Sequence, residues 1–109
     1  MVSGKGARAK GLNFERDVAD KLRGVFPDAR RLFEFHEADA NGVDLQNTGD
    51  LRIQCKKLKR YASITKIQEI QHEPFCGEIP VLVTAGDRQP AMAVLPLEDF
   101  IWLIGEAFK

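Results

Sequence analysis

Three observations predict an α/β fold with a central mixed sheet flanked by helices, in the order α-β-β-β-α-β-β-α. Apolar residues recur at helical spacing near the N-terminus. Alternating or wholly apolar runs of strand length fill the middle. A proline then opens an apolar, helix-like C-terminus.

Residues 1–10 hold Gly4 and Gly6 and no apolar periodicity, so they are expected to form a flexible basic arm carrying Lys5, Arg8 and Lys10. Residues 11–109 are expected to form one domain. A helix should run from about Gly11 to Arg23. At about 100° per residue, Phe14, Val18, Ala19, Leu22, Val25 and Phe26 fall in one arc. Glu15 is the only charged residue inside that arc, because Arg16, Asp17, Asp20, Lys21 and Arg23 all lie outside it. A carboxylate turned towards the core costs free energy unless something pairs with it. Glu15 is therefore either a functional acid or an edge residue bonded to a base or to water.

Arg30 to His36 reads as a first strand, Asn41-Gly42 as a turn or bulge, and Val43-Asp44-Leu45-Gln46 as a short alternating strand. Asn47-Thr48-Gly49-Asp50 supplies hairpin chemistry, with Gly49 suited to positive φ. Leu51 to Leu58 is the clearest strand. Its period of two turns Leu51, Ile53 and Cys55 to one side and Arg52, Gln54 and Lys56 to the other. Asp44 points away from Val43 and Leu45, so a hairpin would gather Asp44, Gln54 and Lys56 on one face, where the first helix could present Glu15. Taken singly, Lys56 is an ordinary strand lysine among Lys57, Lys59 and Arg60, Asp44 is a turn residue, and Gln54 carries no signal. Their convergence is what points to chemistry.

Ser63 is placed to cap a helix running to about Gln71 with Ile64, Ile67 and Ile70, and Pro74 ends it. Ile79 to Ala85 reads as a buried strand, Gly86 to Pro90 as a turn, and Ala91 to Leu95 as the partner strand. Pro96 opens a final helix in which Phe100, Ile101, Leu103 and Ile104 are expected to pack inward. Trp102 is expected in the core, with a dimer face as the alternative.

With 109 residues and 44% hydrophobic content, the chain has material for one modest core. No stretch approaches the ~20 apolar residues of a membrane span, and the N-terminus lacks a signal-peptide pattern. Cys55 and Cys76 have no metal-type spacing and are too few for a disulfide scaffold, so a reduced cytoplasmic setting is expected. A formal net charge of zero conceals strong segregation. Residues 32–51 carry five acids (Glu34, Glu37, Asp39, Asp44, Asp50) and no Lys or Arg, whereas residues 52–68 carry six bases (Arg52, Lys56, Lys57, Lys59, Arg60, Lys66) and no acid. Such a layout suits a protein that holds a cation beside a polyanion, and it equally suits a solvated surface.

The motif Asn13-Phe14-Glu15-Arg16-Asp17, behind a basic glycine-containing arm, resembles the opening of archaeal-type Holliday junction resolvases. Gly42-Val43-Asp44-Leu45 followed by Ile53-Gln54-Cys55-Lys56 resembles the Asp…Glu-x-Lys signature of the PD-(D/E)XK nuclease superfamily. Pro80-Val81-Leu82-Val83 and Val94-Leu95-Pro96-Leu97-Glu98-Asp99-Phe100 are similar to the closing strands and helix of those resolvases. The resemblance runs in order along nearly the whole chain, although no single motif is specific. It implies a restriction-endonuclease-like fold, a divalent Mg²⁺ or Mn²⁺, hydrolysis of DNA phosphodiesters, and a homodimer acting on branched DNA in recombination or repair in a prokaryote or phage. By position, Glu15 would be the helix carboxylate, Asp44 the metal-bridging acid, Gln54 and the Cys55 backbone carbonyl the strand ligands, and Lys56 the paired base. Lys5, Arg8, Lys10, Lys57, Lys59, Arg60 and Lys66 would track the DNA backbone, a contribution that weakens with salt.

Gln54 departs from the family, which has Glu or Asp there. Either the amide oxygen serves, or Asp50, Asp39, Glu37 or Glu69 supplies the missing charge, or the domain binds DNA without cutting it. A nuclease for flap, nicked or single-stranded DNA is a further alternative.

Overall fold

The computed structural model describes residues 4–31, 44–65 and 78–109. In chain order they form α1 (Gly4–Leu22), β1 (Arg30–Arg31), β2 (Leu45–Gln46), β3 (Leu51–Lys57), β4 (Ile79–Ala85), β5 (Met92–Val94) and α2 (Leu97–Ala107). The result is a small α/β protein. A mixed sheet in the order β3-β4-β5 pairs β3 parallel to β4 and β4 antiparallel to β5, while β1 and β2 form a separate antiparallel pair.

β4 is the apolar run Ile79-Pro80-Val81-Leu82-Val83-Thr84-Ala85, buried along nearly its whole length as a central strand must be. Its ladder with β3 runs from Leu51↔Ile79 to Lys57↔Ala85 without interruption. One face of this pair builds the main core, where Ile53, Cys55, Ile79 and Val81 meet Leu45 of β2 and Val18 and Ala19 of α1. The other face carries Leu82, packed against Ala62 and Val94. Gln54, the ladder partner of Leu82, lies on that second face because successive strand residues alternate.

The structure departs from the sequence expectations at both ends. Residues 4–10, expected as a flexible arm, are the first turns of α1. Ala7, Arg8, Ala9 and Lys10 are strong helix formers that extend the amphipathic segment backwards. Lys10 is also tied to Asp87 by a 2.8 Å ion pair. Because α1 ends at Leu22, Val25 falls outside the helical arc and is exposed. At the other end Pro96 stands at the N-cap of α2, and Glu98 and Asp99 occupy the first turn, where the helix dipole favours acids. The expected inward packing of α2 does not occur. Phe100, Ile101, Trp102 and Ile104 are all exposed, and Leu103 is the α2 residue that reaches the core. An 11-residue helix that is apolar on most of its circumference can lay only one stripe on a small sheet.

The remainder of the first strand (Leu32 to His36), Asn41-Gly42-Val43, and the second helix beyond Thr65 lie outside the described residues. At the start of that helix Ser63 Oγ accepts the Thr65 N–H at 3.2 Å, a capping-type contact. Among the described residues no helix is long and apolar enough to cross a membrane.

The turn into β3 keeps the expected positive φ at Gly49 but does not close the expected hairpin, because among the described residues β2 ladders with β1 and β3 with β4, leaving Asp44 to bridge to β3. Gly49 has φ 62°, and Thr48 accepts the Leu51 N–H at 3.1 Å. A Cβ at Gly49 would also stand 2.9 Å from Cε1 of the Phe26 ring. Gly49→Ala should therefore destabilise the fold by about 1–2 kcal/mol from the backbone alone, with more added if Phe26 has to yield. Urea unfolding of the variant against the parent checks this, and a shift below 0.5 kcal/mol on that ~1–2 kcal/mol scale would contradict it.

Candidate active site

β3 has two edges. Along one it pairs with β4. Along the other, the Asp44 N–H donates to the Ile53 carbonyl at 2.8 Å, and Asp44 Oδ2 accepts the Cys55 N–H at 2.7 Å. Asp44 is thus clamped in the plane of the sheet at two successive outward-pointing positions. A strand residue's N–H and C=O point to the same neighbour, so the Cys55 carbonyl faces this edge as well.

Glu15 reaches the edge from α1. Its helical phase turns it inward, as expected, and its side chain is 19% exposed. The base it pairs with is Arg31 of β1, whose Nε donates to Glu15 Oε1 at 3.1 Å. Arg31 lies opposite Leu45 in the β1–β2 pair, one residue from Asp44. Sequence reasoning missed Arg31. It sits at the start of a strand beside a second arginine, and no spacing rule links it to a residue 16 positions away.

The electrostatics of Asp44 follow from this crowding. Burial pushes its carboxyl up from 3.8 to about 6, against the pull of the Cys55 N–H. Glu15 pushes it further up, while Lys56 and Arg31 draw it down. The Cys55 thiol, buried in the core and facing Asp44 and Glu15, is driven far above the ordinary thiol range. It is an inert core group, neither nucleophile nor thiolate ligand.

The expected site residues therefore come together in part. Glu15, Asp44 and the Cys55 backbone meet at the β3 edge, with Arg31 added. Lys56 lies close enough to act on Asp44. Gln54 is 6% exposed, and its Oε1 is buried with no hydrogen-bond partner among the described residues. It stands on the face opposite α1, so Glu15 and Gln54 approach the edge from different sides. Among the described residues no group of three His, Cys, Asp or Glu side chains is placed to hold a metal ion. Among the described residues the oxygen donors at the edge are two carboxylates and a backbone carbonyl, with the orphaned Gln54 amide oxygen on the other face of β3. These hard donors suit Mg²⁺ or Mn²⁺, which keep several waters of their own.

Asp50 cannot replace the acid missing at position 54. It precedes Leu51, five residues and about 16 Å of strand from Cys55, and it borders a separate cleft with Glu78, Asp99 and Trp102. Asp39, Glu37 and Glu69 lie outside the described residues. Of the residues expected to contact DNA, Lys10 pairs with Asp87, and Lys57 donates to the Gly86 carbonyl at 3.1 Å while lying over the Phe14 ring. Both tie α1 and β3 to the β4–β5 turn. Lys59 and Arg60 are exposed just beyond β3. Lys5 and Arg8 stand in the first turns of α1, and Lys66 lies outside the described residues.

No family model, curated protein or solved structure matches the chain.

The Asp44 carboxyl sets a pH dependence. In the unfolded chain it titrates near 3.8 and in the fold at about 6. Between these values the folded chain holds the proton more tightly. This contribution to stability is full below pH 4, falls as pH rises, and is lost above about pH 6. Asp44→Asn keeps an acceptor for the Cys55 N–H and removes the buried charge. In metal-free protein at pH 7.5 it should stabilise the fold by on the order of 2 kcal/mol, and the gain should vanish near pH 4. Thermal unfolding of both proteins across this range tests the sign.

Proposed function

We propose that the chain is a metal-dependent DNA endonuclease of the PD-(D/E)XK type, with a restriction-endonuclease-like fold and a structure-selective, junction-resolving activity. The observation that carries this reading is the placement of Glu15 and Asp44 together at the β3 edge, in surroundings that raise the Asp44 carboxyl to about 6. Two crowded carboxylates in partly dehydrated ground are more stable beside a cation. The order of motifs along the chain supplies the rest.

In this reading Glu15, Asp44 and the Cys55 carbonyl would hold Mg²⁺ or Mn²⁺, and Gln54 Oε1 would join them from the other face of β3. Such an ion, when bound, acidifies a water and offsets charge on phosphoryl oxygens. Asp44 supplies a fixed anionic anchor, because its backbone and side chain are both bonded to β3. Lys56 brings a positive charge to the same edge, suited to a developing negative charge on substrate. Lys59 and Arg60 offer backbone contacts that position DNA without reading sequence. A homodimer would give two such sites for the two strands of a junction.

One observation favours a second reading, a DNA-binding module without chemistry. Position 54 is an amide, and among the described residues only two carboxylates meet at the edge.

Labelled four-way junction and linear duplex, incubated with and without Mn²⁺, separate these readings. Junction cutting that requires Mn²⁺ is expected, and Lys56→Ala should lower its rate by roughly 10²-fold or more. Parental cutting by Lys56→Ala would remove the site assignment. Equal cutting of flaps or nicked duplex would point to the other nuclease class, and binding without cutting to the module.

Gln54→Glu tests the departure from the family. Unchanged or faster cleavage is expected if the side chain at 54 contributes an oxygen to the cation. Loss of Mn²⁺ binding would count against direct ligation by this residue.

A further inference from the structure

Arg31 has no role in the motif that suggested the site, yet it is paired directly with one of its two acids. Its Nε is bonded to Glu15 Oε1 at 3.1 Å, and its side chain is only 12% exposed. It also acts electrostatically on Asp44. Its backbone is held by pairing with Leu45, so any relocation belongs to the side chain. We propose that Arg31 is a tethered counter-ion that competes with the divalent cation for Glu15 and Asp44, and must swing away for the cation to enter. This inference rests on the metal-dependent reading above.

The argument is one of exclusive occupancy. Mg²⁺ requires its oxygens at about 2.0–2.1 Å in a near-octahedral shell. A guanidinium bonded to the same Glu15 oxygen fills part of that shell and repels the ion. Arginine cannot clear the site by losing its proton, because it stays charged at any ordinary pH. The choice is therefore between Arg31 paired with Glu15 and Arg31 displaced by a cation. Once displaced, its planar fork of N–H donors is available beside the site and matches a phosphodiester oxygen pair. Cation entry and polyanion binding then favour the same movement, so each should strengthen the other.

Calorimetric titration of Mn²⁺ into the parent, Arg31→Gln and Asp44→Asn tests the competition without any cleavage assay. A cation bonded to a would-be ligand oxygen both occupies that oxygen and repels a second cation, and such coupling between two binding events is typically about 5–150-fold. Arg31→Gln should accordingly bind Mn²⁺ roughly tenfold more tightly than the parent, whereas Asp44→Asn should lose binding. A residue needed only to hold the fold would move affinity the other way. Should Arg31→Gln fold poorly, the parent's own spectrum carries the test. The Arg31 Nε–H resonance, assigned by its loss in Arg31→Lys, should move to the free-arginine position as Mg²⁺ saturates. Equal or weaker Mn²⁺ binding by folded Arg31→Gln, with binding still lost in Asp44→Asn, would overturn the competition and leave the nuclease reading standing. So would an unmoved Nε–H resonance at saturating Mg²⁺. Absence of any Mn²⁺ or Mg²⁺ binding by the parent and Arg31→Gln alike would overturn both.

Discussion

The burial of the Asp44 carboxyl at the edge of β3, with Glu15 nearby, is the constraint around which this end of the molecule is organised. Desolvation contributes more to it than the repulsion between the two acids. Neither acid is free to retreat. Glu15 is fixed by the phase of α1, whose Val18 and Ala19 are locked into the core. Asp44 is fixed by two hydrogen bonds to β3, one through its backbone and one through its side chain. A fold selected for stability alone would turn one of them to water. Here the cost is accepted and partly offset by Arg31 and Lys56, an imbalance of the kind that marks sites of function more often than sites of packing.

β3 can serve as the platform because its two edges do different work. The unbroken ladder to β4 makes it rigid, and β4 is itself covered on both faces. The opposite edge is left to receive a side chain, so the Asp44 carboxylate takes a place that a neighbouring strand's carbonyl would otherwise fill. Groups held on a rigid strand keep their geometry better than groups on a loop. The same packing that steadies the strand buries Cys55 and removes its thiol from chemistry, leaving only its backbone to take part.

What the sequence disclosed was local. β4, the alternation of β3, the positive φ at Gly49 and the proline before α2 all follow from residues within a few positions of each other. The inward turn of Glu15 was legible for the same reason, since helical phase is a local property. The failures are of two kinds. In α1 the glycines at 4 and 6 masked good helix formers that continue an existing helix, and propagation is easier than nucleation. In α2 the apolar stripe predicts burial, but burial depends on how much sheet there is to cover it. Arg31 belongs to the second kind, because its pairing with Glu15 exists only once the chain has folded back.

The strand alternation that assigned Gln54 and Lys56 to a common face also sets them opposite the face on which α1 packs, so Glu15 and Gln54 can share a ligand only around the edge where Asp44 lies. This bears on why an amide stands at position 54. Glu15 and Asp44 are already balanced in formal charge by Arg31 and Lys56. A glutamate at 54, at a position 6% exposed, would add a third anion on the buried side, at a desolvation cost that Arg52 and Lys56 on the same face would have to offset. An amide supplies an oxygen at much lower desolvation cost. In the proposed nuclease reading, the consequence would be a site with less pull on a cation by itself and more residual positive charge once a cation is in place, so that a polyanion and a divalent ion would bind better together than either alone.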